Sequence, residues 1–284
     1  MLREVLQGLQ LSPGLVVVDG TVGGGGHSRK ICERIGPTGR LIGIDRDPSM
    51  LDRARGVLPV EDVSLHRGSY VELPDFLQVD GVEAVDRILV DLGLSSDQLA
   101  DRERGFSFHA EGLLDLRFHT GDGPTAAEFL AGADESELEK VLREYGEEPH
   151  SRGIAAAVVR LRASHPIRTG QDLAALVENV VGQQGRGEKH PATRVFQALR
   201  LAVNRELEHV QKAVTEIFPQ CLRPGGLLAV ITFHSLEDRI VKDAFRDASL
   251  WEAVTPKPLL PTPAEQRVNP RSRSAKLRIA RRRS

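Results

Sequence analysis

The residues with the clearest chemical potential stand early in the chain. Asp19-Gly-Thr-Val-Gly-Gly-Gly-Gly-His27 joins an apolar run, Leu15 to Val18, to a helical pattern through Ile31 and Ile35. Glycines at a strand-to-helix turn let backbone N–H groups close on a ligand. Asp45 ends the next apolar run, Arg40 to Ile44. A carboxylate there is placed to accept both ribose hydroxyls of an adenosine cofactor. A dinucleotide turn reads Gly-x-Gly-x-x-Gly, yet counting from Gly23 puts Ser28 where the third glycine belongs. An acid directly before Gly20 would repel a pyrophosphate, whereas it tolerates the ammonium and sulfonium of S-adenosylmethionine. The turn therefore favours S-adenosylmethionine over NAD.

Two further strand ends add reactive groups. Asp91 closes the run Val85 to Val90, at the mouth of a doubly wound sheet, where ligands sit. It serves there either near a transferred methyl group or as a helix cap or turn acid. His234-Ser235 closes the run Leu227 to Phe233 and would face the same mouth. Ser235 with Asp238 also fits an ordinary capping box. The two cysteines, Cys32 and Cys221, make neither a disulfide framework nor a four-ligand zinc site, and no cluster has metal-ligand spacing. No metal is expected.

Short apolar strands separated by helical patterns argue for a parallel sheet covered on both faces. The middle of the chain reads as helices: Leu138, Val141, Leu142 and Tyr145, starting at Asp134 or Ser136; Ile154, Val158 and Leu161; then Leu173, Leu176, Val177 and Val180. Phe196 to Ile217 steps by three and four and predicts one long amphipathic helix. The expected organisation is an α/β domain over 1–103 and 196–284, with a helical insert at 104–195. Ala275 to Ala280 predicts a terminal strand.

The chain has 284 residues, 40% hydrophobic and 27% charged, enough to bury a globular core. No basic n-region precedes an apolar segment at Met1, and the longest apolar run is far short of a membrane span, so a reducing cytoplasm is expected. The net charge of −2 conceals an asymmetry: Arg267 to Ser284 holds eight basic residues and no acid. A basic end on an acidic body suggests a polyanion, with nucleic acid the leading choice. Arg186, Lys189, His190, Arg194, Arg200 and Arg205 gather near the start of the long helix and would add phosphate contacts, unless they form a solvated face. Phe106 and Phe108 read as core residues or as base-stacking platforms.

Seven blocks, in order, resemble one family. They are Asp19-Gly-Thr-Val-Gly-Gly-Gly-Gly-His-Ser28, Ile44-Asp-Arg-Asp47, Asp91-Leu-Gly-Leu-Ser-Ser96, Arg104-Gly-Phe-Ser-Phe108, His190-Pro-Ala-Thr-Arg-Val-Phe-Gln-Ala-Leu-Arg200, Phe233-His-Ser-Leu-Glu-Asp-Arg239 and Asn269-Pro-Arg-Ser-Arg-Ser-Ala-Lys-Leu-Arg278. The chain resembles the bacterial 16S ribosomal RNA cytosine-N4 methyltransferases, the small-subunit methyltransferase H or MraW family. The resemblance implies a class I S-adenosylmethionine-dependent methyltransferase fold, its inserted helical domain recognising substrate. It implies a decoding-centre cytidine as methyl acceptor, and 16S ribosomal RNA, within the small subunit, as partner. It places Gly25, Gly26, His27, Asp45, Tyr70, Asp91 and Gln98 at S-adenosylmethionine, and His234, Ser235 and Asn269 toward substrate. Tyr70 would stack on adenine or fill a gap after the third strand. A monomer and a homodimer stay equally open.

The chain departs from the family pattern at Met1-Leu-Arg-Glu, where a preceding segment with His and Pro-Val-Leu is usual, and at Leu114-Asp-Leu-Arg-Phe118, where methionines are common. The family's chemistry makes Asp91 the leading catalytic candidate. A cytosine N4 amine is a poor nucleophile because its lone pair is delocalised, and an Asp or Glu is a suitable acceptor for its hydrogen. The usual Asp/Asn-Pro-Pro-aromatic motif is replaced by Asp91-Leu-Gly-Leu94, so the acceptor is Asp91, a backbone carbonyl beside it, or a group elsewhere. A nicotinamide-dependent oxidoreductase and a non-catalytic RNA-binding assembly factor are the competing functions.

Overall fold

The computed structural model of the chain describes residues 1–59, 61–95, 98–99, 101, 104–107, 112–121, 123–182 and 190–284. Of the residues singled out above, Ser96, Phe108, Arg186 and Lys189 lie outside these. The chain forms two compact units, Met1–Gly93 with Leu207–Ser284, and Leu94–Glu206.

The first unit is built on a seven-stranded sheet. Its strands are β1 (Val16–Asp19), β2 (Arg40–Asp45), β3 (Val63–Arg67), β4 (Val85–Asp91), β5 (Leu222–Thr232), β6 (Trp251–Ala253) and β7 (Lys276–Arg282). They lie in the order β3-β2-β1-β4-β5-β7-β6. The first five are mutually parallel, and β7 runs antiparallel to both its neighbours. Successive residues feed opposite faces. Val18, Ile42, Ile88 and Val230 pack with Leu73, Val214 and Phe218 on one side. Val17, Leu41, Leu89 and Ala229 pack with Val5, Ile31 and Ile35 on the other. Near-continuous apolar strands buried on both faces are what a helix-covered parallel sheet requires. The doubly wound class I methyltransferase sheet expected from the sequence is present. Strand order reverses between β1 and β4, and a ligand crevice belongs at that reversal, outside the carboxyl ends of the strands.

Local chemistry sets the helix starts. Asp47 caps the helix Pro48–Arg55 by accepting from Ser49 N at 3.0 Å, and Pro48 at its first position needs no N–H partner. β7 is fastened by a buried ion group. Arg278 forks onto both oxygens of Asp238, at 2.7 and 3.2 Å, and Lys276 adds a third bond at 3.1 Å. Burial opposes ionisation of Asp238, but these bonds prevail and hold its carboxyl below the usual range.

The second unit is helical, with Ala126–Gly132, Glu135–Gly146, Ser151–Arg162, Gly170–Val181 and Ala192–Val203 around a core that includes Leu138, Leu142, Ile154, Val158, Leu173, Val177 and Leu199. Asp134, Thr125 and Thr169 cap three of these helices. The unit is wider at both ends than the expected insert 104–195. The single helix predicted from Phe196 to Ile217 is in fact two. The first ends at Val203, Arg205 takes φ +52°, and a second starts at Glu206. Buried Asn204 holds the break: its Nδ2 donates to the carbonyls of Leu116 at 2.7 Å and Arg200 at 2.9 Å, and its Oδ1 accepts from Phe118 N at 2.8 Å. Apolar spacing continues across the break because each segment buries one face in its own unit.

Arg278→Ala leaves the buried Asp238 carboxylate with only Lys276, and should cost about 3 kcal/mol of stability in urea unfolding. A loss indistinguishable from zero would show the pair to be an ornament of β7 rather than its anchor.

Candidate active site

The reversal between β1 and β4 is where the glycine turn and Asp91 meet. The turn after β1 is pinned from three sides. Gly20 N donates to Leu89 O at 2.8 Å, Val22 N to Ile44 O at 3.0 Å, and Thr21 Oγ1 accepts from Asp91 N at 2.7 Å. The turn is thus bonded to both neighbouring strands. Gly25 caps the following helix, Gly26–Ile35, at φ +82°, in the left-handed region that favours glycine. A Cβ on Gly25 would also stand 2.7 Å from Val57 Cγ2. Gly26 is different: it is exposed, and a Cβ there meets nothing within 4 Å. Its missing side chain relieves no crowding in the protein, so the open space it leaves at a helix start is available to a ligand.

Three carboxylates at neighbouring strand ends have three environments. Asp45 is bound by the backbone: Oδ2 accepts from Gly23 N at 2.8 Å and Oδ1 from Asp47 N at 2.9 Å. Each oxygen carries two lone pairs, and these bonds fix the carboxylate plane beside the glycine turn. Asp19 is buried, accepting from Ser28 Oγ at 2.6 Å and Thr21 N at 3.2 Å. Burial pushes its carboxyl up to about 6, against the pull of Ser28 and Thr21, with the Asp45 charge adding to the rise. Asp19 therefore braces the turn against the first turn of helix Gly26–Ile35. Asp91 is raised further, to about 7, by burial and then by the charge of Asp19. Its Oδ1 is enclosed and has no hydrogen-bond partner among the described residues.

His27 stands over Asp91, with Nδ1 3.6 Å from Oδ2, beyond hydrogen-bond reach. Burial lowers its pKa to about 4, so the ring is neutral at pH 7. Its Nε2 is also enclosed without a partner among the described residues. Two unsatisfied polar atoms on adjacent side chains are costly unless something else bonds to them. They fit a polar ligand entering beside the glycine turn.

The end of β5 supplies another enclosed pair. His234 caps helix Ser235–Ala244 with Nδ1, which accepts from Glu237 N at 3.4 Å. Buried Glu237 reaches back to accept from Phe233 N at 2.8 Å. Glu237 Oε1 lies 3.0 Å from His234 Nε2, at an angle that makes no hydrogen bond. The capping box is thus His234 with Glu237, not Ser235 with Asp238, whose carboxylate is taken by β7. Glu237 escaped the sequence reading, although an acid three residues beyond a capping position is a recognisable signal.

The remaining expected residues have surroundings of their own. Tyr70 is in the core of the first unit, its ring 6.0 Å from that of Phe218 and edge-on to His209 at 6.4 Å. Ser235 and Asn269 are exposed. Gln98 belongs to the helical unit, where its side-chain oxygen accepts from Ser95 N at 3.0 Å. Phe106 is buried in that unit's core against Phe118. Among the bases near Ala192–Val203, Arg200 forks onto Glu206 at 2.7 and 3.1 Å and His190 pairs with Glu178, while Arg194 is exposed.

The family model of the MraW methylases matches residues 1–283. The chain belongs to the MraW methylase family. Similar curated proteins are called ribosomal RNA small subunit methyltransferase H. That of Trichlorobacter lovleyi is 43% identical, across 98% of this chain and 95% of its own length. That of Leptothrix cholodnii is 45% identical, across 99% and 92%. Among solved structures, an rRNA methylase from Streptococcus thermophilus overlays with a TM-score of 0.42 at 11% identity, covering 96% of this chain and 90% of that one. A methylase of this family has no use for the hydride chemistry of a nicotinamide enzyme, which removes that competing function. No helix among the described residues is long and apolar enough to cross a membrane.

Two measurements test this geometry without any ligand. Gly25→Ala should destabilise the fold by roughly 1–3 kcal/mol through its φ and the Val57 overlap, whereas Gly26→Ala should cost nothing in the same thermal melt. Equal losses would mean that the two glycines serve folding alike. The second concerns protons. Asp19 and Asp91 keep protons in the folded state that the unfolded chain releases near its ordinary pKa of about 4. Their contribution is whole below about 4 and is lost as pH rises through about 6 and 7. Asp91→Asn should therefore stabilise the protein by roughly 1–3 kcal/mol at pH 8 and have little effect at pH 4. A pH-independent difference would refute the raised pKa.

Proposed function

We propose that this protein uses S-adenosylmethionine to methylate small-subunit ribosomal RNA, on the N4 amine of a decoding-centre cytidine. The supporting observation is the enclosed Asp91 Oδ1, without a partner among the described residues, beside the glycine turn at the strand-order reversal. The names of the relatives support ribosomal RNA as the substrate.

Gly25, Gly26 and the backbone-locked Asp45 would hold the adenosyl half of the cofactor, and His27 would close over it. The cofactor, when bound, supplies a methyl carbon made electrophilic by its sulfonium. Asp91 then has two tasks. Its free oxygen holds an N4 hydrogen, which favours a pyramidal amine with its lone pair directed at the methyl, and afterwards it takes the proton released as the N–C bond forms. A carboxyl raised to about 7 is well matched to that exchange near neutral pH. Neutral His27 brings no positive charge to compete with it. His234, with its ring set by Glu237, faces the incoming base, and Ser235 and Asn269 stand on the approach. A cytosine within a stack cannot reach this depth, so the base enters unpaired or flipped. The helical unit Leu94–Glu206 would recognise the surrounding RNA, and Gln98 would contact the cofactor.

Asp45→Ala should weaken S-adenosylmethionine binding by roughly 1–3 kcal/mol in calorimetry, through lost charge-assisted bonds and a loosened turn. Mass spectrometry of 16S ribosomal RNA should show one N4-methylated cytidine fewer in cells lacking the protein. An unchanged nucleoside profile would overturn the assignment.

A further inference from the structure

The eight basic residues from Arg267 onward divide into two groups. Five belong to β7 and its end, and are engaged by the fold. Lys276 and Arg278 bind Asp238, Arg281 faces Glu252 at 3.7 Å, Arg282 donates to Pro219 O, and Arg283 donates to Trp251 O at 3.2 Å. The other three, Arg267, Arg271 and Arg273, are exposed on the helix Pro263–Val268 and the 3-10 turn Pro270–Ser274. They have no ion pair or hydrogen bond with a described residue, and no acid stands between Gln266 and Ser274.

The sheet decides where this turn lies. β7 is antiparallel, so it begins where β5 ends: Lys276 pairs with Thr232. β5 in turn sets Ile231 opposite Asp91. The residues just before Lys276 therefore emerge at the same edge of the sheet as Asp91. Ser272 is buried and donates to Asn269 O at 2.7 Å, which pins the turn with Arg271 and Arg273 on either side.

We propose that Arg267, Arg271 and Arg273 grip the phosphates flanking the nucleotide that enters beside Asp91, while the cations of β7 serve the fold alone. This rests on the RNA substrate proposed above. Exposed guanidiniums with no internal partner match phosphate oxygens in charge and in bidentate shape. The turn carries no aromatic residue on which a base could stack, so the contact positions the strand without reading its sequence.

The test is binding of a 16S ribosomal RNA transcript at several KCl concentrations, with S-adenosylmethionine calorimetry on the same preparations. Three proteins are compared: wild type, R267A/R271A/R273A, and K212A/R246A/K257A, which removes equal charge from elsewhere on the same unit. Each lost single-strand phosphate contact makes the log K against log salt slope shallower by about 0.7, so the arginine variant should lose about 2 from its slope. It should keep wild-type cofactor affinity, and the control should keep the wild-type slope. An arginine variant with the wild-type slope, or a control that loses as much, would overturn the proposal. RNA binding that shows the expected slope change, from a protein that never methylates the transcript or assembled subunits, would sink the methylation reading and leave the arginine contact standing.

Discussion

Three neighbouring parallel strands end in aspartate, so the fold gathers three like charges along one edge of the sheet. Each charge needs a separate remedy. Asp45 accepts from two backbone N–H groups, those of Gly23 and Asp47. Asp19 has a hydroxyl and one N–H but is sealed from water, and rises to about 6. Asp91 receives the least help and rises highest, to about 7. The difference between Asp19 and Asp91 follows from the bonds of Ser28 and Thr21 to Asp19 and from the charge of Asp19 on Asp91. It leaves one carboxyl able to exchange a proton near neutral pH, at the point where strand order reverses.

The rest of the first unit keeps that edge in place. Thr21 bonds the glycine turn to the backbone of Asp91, and Ser28 bonds the helix after the turn to Asp19. On the far side of β5, Glu237 and Asp238 are adjacent in sequence and opposite in duty. Glu237 turns inward to the end of β5, and Asp238 outward to Arg278 of β7. The antiparallel β7 thereby brings the C-terminal segment back to the functional edge. An acid-to-base pairing that looks purely structural also places the three unpaired arginines.

β1, β2, β4, β5 and β7 and the glycine turn were legible in the sequence, because apolar strands alternating with helices and a glycine run have few other solutions, whereas β3 and β6 were given no residues. That Asp45 and Asp91 end their strands could be read from the apolar runs before them. Other features could not be. Apolar spacing runs unbroken from Phe196 to Ile217, and no Gly or Pro marks the break at Arg205; the bonds of Asn204 to Leu116, Arg200 and Phe118 hold it. Charge counting saw eight cations at the C-terminal end but could not see that five of them, four in β7 and Arg283 just after it, are engaged by the fold. Ser235 is a better capping residue than His234 by type, and each has an acid three residues on, but Asp238 is taken by Arg278 and Lys276 of β7 while Glu237 turns to the end of β5. Tyr70 follows β3 as expected, but its position between Phe218 and His209 depends on elements more than a hundred residues away.

The most direct test is the single-turnover rate of methyl transfer to 16S ribosomal RNA as a function of pH, for the wild-type protein and for Asp91→Asn. If the enclosed oxygen of Asp91 receives the amine hydrogen, the wild-type rate climbs with pH and levels off near neutrality, and the amide variant is slow and flat from about pH 5 to about pH 9. A variant that matches the wild-type rate and profile would contradict the account at its centre.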